Sequence, residues 1–99
     1  MSEVDGMVAE LAEGMVAAMD SFDSGDLPLE RLVWQLESRI SAMEGTADGE
    51  WIEELRSGWW QLEYVNALVL DVGGRSLTEQ ERRSIDEAVS ELRAMLAAY

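Results

Sequence analysis

Apolar residues recur every three or four positions through most of this chain, and that period commits it to amphipathic helices packed on one another. Val4, Val8, Leu11, Met15, Ala18 and Phe22 are spaced 4, 3, 4, 3 and 4, which places them on one face of a helix running from about Ser2 to Phe22. Gly6 and Gly14 lie inside it and each costs about 1 kcal/mol relative to Ala, so this helix depends on packing. Asp23-Ser24-Gly25-Asp26 reads as a turn, and Pro28 suits the first position of the next helix. That second helix, to about Met43, carries the stripe Leu29, Leu32, Val33, Leu36, Ile40 and Met43. Glu44 to Gly49 is a break, after which Asp48 or Thr46 can cap a third helix reaching about Val72. Gly73-Gly74 stops it, and Thr78-x-x-Glu81 is a capping box for a fourth helix from about Glu79 to Ala98. Ile85, Val89, Leu92, Leu96 and Tyr99 share one side of that last helix. No stretch alternates with period two for long enough to make a strand. Short loops between helices favour antiparallel neighbours, so the expected fold is all-α, an antiparallel four-helix up-and-down bundle. A dimer that shares helices would give the same pattern.

At 99 residues the chain has the size of one domain. It contains no cysteine, which excludes disulfides and zinc–thiolate sites. Met1 to Leu11 carries Glu3, Asp5 and Glu10 and no basic residue, unlike a secretory signal. No apolar stretch approaches the roughly 20 residues that span a bilayer. A cytoplasmic location is therefore expected. The formal net charge is −14. Nucleic acid and anionic membranes would be repelled, and a basic protein would be attracted. All seven cations are Arg, which with the many Ala and Gly suggests a GC-rich bacterial gene.

Catalytic chemistry finds little to work with. Histidine is absent, which removes the usual general base and the commonest metal ligand. Glu53-Glu54 and Asp86-Glu87 are adjacent pairs, but neighbours on a helix point about 100° apart and do not converge on one site. A di-metal carboxylate bundle needs Glu-x-x-His on two helices, which cannot exist here. Asp20 to Leu27 invites comparison with a calcium loop, with Gly25 at its sixth position. Phe22 then stands where an oxygen ligand is required, and Arg31 where a bidentate Glu belongs. No catalytic residue, metal site or cofactor is expected, and binding is favoured over catalysis.

Aromatic residues are more informative. On the third helix Trp51, Leu55, Trp59, Leu62 and Val69 share a core face, flanked by Ile52 and Val65, while Trp60, Tyr64 and Leu68 run at i, i+4 and i+8 on roughly the opposite face. Trp34 lies off the second helix's stripe, among Glu30, Arg31, Glu37 and Ser38. These rings either close the bundle's edges or anchor an interface. Acidic residues are unevenly placed too. Glu44, Asp48, Glu50, Glu53 and Glu54 precede Arg56, and in an up-and-down bundle Glu3 and Asp5 would join them at the same end. Part of this acid suits helix N-termini. The candidate partner-binding residues are therefore Glu44, Asp48, Glu50, Glu53, Glu54, Trp60, Tyr64 and Trp34.

Two resemblances bear on function. Asp23-Ser24, followed by Leu32-Val33 and Leu36-Glu37, resembles an acyl carrier protein, with Ser24 as the attachment site that likeness implies. Gly25 stands in place of the Leu of that family's Asp-Ser-Leu motif, and the long loop before the Ser is missing. Trp51, Trp59-Trp60-Gln61-Leu62-Glu63, Ala67, Leu77-Thr78, Ile85-Asp86-Glu87-Ala88-Val89 and Leu92 resemble, over Leu29 to Leu96, the small acidic immunity proteins encoded beside bacterial polymorphic and contact-dependent toxins. That class has many folds and no shared catalytic residues, so the resemblance implies a role and no defined site: tight binding to a cognate toxin. Many such toxins are nucleases with basic clefts, which an acidic surface with aromatic anchors can occupy. The alternative is a structural or assembly module that dimerises through Trp34, Trp60 and Tyr64.

Overall fold

The computed structural model describes residues 3–71, 73 and 76–98, with backbone alone for residues 3–5 and 71. It consists of α1 (Glu3–Asp23), α2 (Leu29–Met43), α3 (Gly49–Asp71) and α4 (Glu79–Ala98), and among the described residues there is no strand. Each helix packs antiparallel on the next, and α1 returns to α4, so the four form a ring around one core.

The turns follow from local chemistry. Gly25, Gly45 and Gly73 take φ of 84°, 84° and 80°, the left-handed region in which a side chain is strained. Each lies just past the end of a helix. Pro28 stands one place earlier than expected. It is the cap of α2, extended at φ −70° and ψ 158°, and its carbonyl accepts the amides of Arg31 and Leu32. Of the two candidate caps for α3, Asp48 takes the role: its Oδ2 accepts the Trp51 amide at 3.0 Å. Thr46 instead closes α2, donating its hydroxyl to the Met43 carbonyl at 2.9 Å. The capping box forms in both directions, with Thr78 N–H to Glu81 Oε1 at 2.9 Å and Glu81 N–H to Thr78 Oγ1 at 3.1 Å. Thr78→Ala should therefore lower stability by about 1 kcal/mol, which urea denaturation would measure; no change in midpoint would mean that α4 does not depend on its cap.

The core takes Leu32, Val33, Leu36, Ile40 and Met43 from α2, and Ile85, Ala88, Val89, Leu92 and Leu96 from α4. From α3 it takes Ile52, Leu55, Trp59, Leu62 and Val65. On α1 the buried face is Val8, Ala12, Met15, Ala18 and Met19, while Leu11 and Phe22 of the expected stripe are only half-buried. The side chains of Val4 and Tyr99 lie outside the described residues, as do Val72 and Gly74.

Two glycines mark close approaches. A Cβ on Gly14 would collide with the Arg39 guanidinium, which crosses α1 there. A Cβ on Gly58 would come within 2.9 Å of Leu92 Cδ2, so α3 and α4 meet closely at this point. The fourth seam is looser. α1 and α4 touch far less than the other neighbouring pairs, leaving an apolar groove of about 550 Å³ lined by Ala9, Ala12, Val16, Leu96 and Ala97. Arg93 pins this seam, reaching Asp20 Oδ1 at 2.8 Å and Asp23 Oδ2 at 2.7 Å. Partial burial works against the Arg93 charge, but hydrogen bonds to Asp23 and Asp20 and their attraction outweigh it and raise its pKa.

Candidate partner-binding face

The α2–α3 seam is built around Trp59. This ring is 8% exposed, and its indole N–H donates to the Val33 carbonyl at 2.8 Å, tying α3 to α2. Trp60 follows about 100° further round the helix and is 59% exposed. Its ring meets Trp59 edge-on, with centroids 4.8 Å apart and planes at 66°, a favourable quadrupolar arrangement. One turn on, Tyr64 is 68% exposed; with Leu68 it lines a separate hollow beside Thr78, Gln80, Glu81 and Ser84, and so borders α4 rather than α2. From the α2 side, Trp34 is 62% exposed and shares with Trp59 a hollow of about 430 Å³. The two exposed indoles therefore flank one buried indole.

Charge surrounds this aromatic group. Glu30, Arg31, Glu37 and Glu63 line the hollow with Trp34 and Trp59, and the Cζ of Arg31 lies 5.8 Å from the centroid of the Trp34 ring. Arg56 closes one end of the seam, donating from Nε to Glu44 at 2.8 Å and from Nη2 to Ser41 at 3.2 Å, and lying 3.6 Å from Glu37.

The acidic end is exposed throughout, and its members have different duties. Glu44 is paired with Arg56, and Asp48 caps α3. Glu54 turns toward α4, where it shares a shallow hollow with Ser57, Gly58 and Glu91. Glu50 and Glu53 form no ion pair among the described residues. The side chains of Glu3 and Asp5 lie outside the described residues. If a basic partner is steered by this end, reversing two of its acids with Glu50→Arg and Glu53→Arg should slow association. The effect should shrink as salt rises, because exposed charges are screened over about 8 Å at physiological ionic strength. Stopped-flow association rates at two salt concentrations would read this, and an unchanged rate would remove these residues from the encounter surface.

The hollow and its lining were not anticipated from the residues. Asn66, a buried polar side chain, and Leu70 line it with Glu63. Their spacing from Trp59 (i+4, i+7 and i+11) is the one signal that could have grouped them. Ser24 lies in the turn before α2, with its Oγ 3.1 Å from both the Ser21 carbonyl and Asp26 Oδ2. The second helix begins five residues later, at Leu29, so Ser24 does not stand at a helix start as the acyl carrier likeness would place it.

No family model, curated protein or solved structure matches this chain. Among the described residues, no helix is long and apolar enough to cross a membrane.

Proposed function

We propose that this chain is a non-catalytic acidic binding protein of the immunity type, which neutralises a basic toxin domain, such as a nuclease, by docking its α2–α3 face on it. The observation that carries this reading is the placement of Trp34, Trp60 and Tyr64. All three are more than half exposed, outside a core that is filled without them. Exposed Trp and Tyr are typical binding anchors; Trp34 and Trp60 stand on either side of Trp59 at the α2–α3 seam, and Tyr64 extends the aromatic surface toward α4. The charge of −14 selects a basic partner. It also opposes pairing of two copies through this face, so a monomer is expected in the absence of partner.

Co-expression with the product of the adjacent gene tests the reading. A basic product that co-purifies in a one-to-one complex and loses its toxicity supports it. A stable homodimer that covers Trp34 and Trp60, with no capture of that product, would support the assembly module instead.

A further inference from the structure

We infer that the hollow between α2 and α3 receives an arginine side chain of the basic partner. The inference rests on the docking face proposed above and names what that face recognises. Trp34 and the buried Trp59 give the hollow aromatic surface, Val33 and Leu70 give it apolar surface, and Glu30, Glu37 and Glu63 supply carboxylates.

The carboxylates differ in availability. Glu37 already accepts the Ser41 hydroxyl at 2.8 Å and faces Arg56. Glu63 is half-buried and Glu30 exposed, and neither forms an ion pair among the described residues. A cation entering the hollow would therefore meet a partly desolvated carboxylate beside an indole. A guanidinium suits both at once. It is planar, stacks on an aromatic face and offers two parallel N–H donors to a carboxylate, whereas an ammonium is a strongly hydrated point charge. Arg31 also lines the hollow, and its own guanidinium already lies 5.8 Å from the Trp34 ring centroid, so the incoming guanidinium has to displace it from that ring. A second copy of the chain is a poor occupant, because each copy carries a charge of −14.

The test uses the full chain, labelled with ¹⁵N, at low salt. An acetylated and amidated tri-arginine peptide is titrated in, and a tri-lysine peptide of the same length is titrated separately. The four indole N–H resonances report position. Trp34 and Trp59 line the hollow, Trp60 lies beside it, and Trp51 is a remote control whose indole N–H is bonded to the Met95 carbonyl of α4. The expected result is saturable shifts at Trp34 and Trp59, at least fivefold tighter binding of the arginine peptide, and a tenfold weakening in Glu63→Gln with the melting temperature unchanged. Glu30→Gln provides a second variant should Glu63→Gln alter the fold. Equal affinity for the two peptides, shifts at Trp51 as large as those at Trp34, or no shifts would each overturn the assignment. Shifts confined to Trp60 and Tyr64 would also overturn it while leaving the docking face in place. The docking face itself stands or falls on capture of the basic partner.

Discussion

Trp60→Ala should leave the protein folded and break its grip on its partner. The ring is 59% exposed and meets the buried Trp59 edge-on. Its removal opens no cavity, so the melting temperature should fall little. As an anchor in a desolvated interface, its loss should cost about 2 kcal/mol or more of affinity, and mainly by faster dissociation. Melting and dissociation kinetics measured on one sample decide the matter. A large loss of stability, or an unchanged dissociation rate, would remove Trp60 from the interface.

Trp59→Ala, one residue away, should act first on the fold. This side chain is 8% exposed and fastens α3 to α2 through the Val33 carbonyl. Truncation leaves a cavity at the centre of that seam and should cost about 3–5 kcal/mol of stability. That is a large share of the roughly 5–15 kcal/mol that holds a small domain together. Chemical denaturation would measure it, and a loss below about 1 kcal/mol would mean that the seam does not rely on this ring. Trp34 and Trp60 would also lose the surface they flank, so partner affinity should fall as well. The pair of variants separates holding the fold from presenting the face, at two consecutive positions.

The helices and their ends were legible in the residues because both are local matters. The stripe from Leu32 to Met43 on α2 and from Ile85 to Leu96 on α4 is buried as the spacing predicts. Glycine stands where φ is positive, and the Thr78–Glu81 box forms. Pro28 was displaced by one residue because its fixed φ suits the capping position as well as the first helical one. α1 was read less well. It is apolar nearly all round, with Met7, Leu11, Ala12, Val16, Ala17 and Met19 distributed over its faces, so periodicity alone could not choose between Leu11 and Ala12 as the residue turned inward.

The candidate site was legible only as a set of residue types. Spacing placed Trp60 and Tyr64 opposite the α3 core face. Whether another helix covers that face depends on contacts between residues far apart in sequence. Glu30 and Glu63 meet at one hollow because α2 and α3 run antiparallel in the register set by Val33 and Trp59. No local pattern contains that register. The separate duties of the acidic residues are hidden from the sequence for a related reason. Composition counts Glu44 and Asp48 as free charge, whereas Arg56 and the start of α3 already employ them.

The loose seam between α1 and α4 has a consequence for motion. A ring of four helices with three close seams and one held chiefly by Arg93 does not breathe evenly. Parting α1 from α4 breaks one solvent-accessible ionic clasp at the seam where the helices touch least, and it opens onto Met15, Met19 and Leu92 of the shared core. In such a ring the α2–α3 seam lies across from that opening. A transient parting of the terminal helices would therefore leave in place the Trp59–Val33 hydrogen bond that joins α3 to α2, and with it the mutual placement of the two helices that carry Trp34 and Trp60.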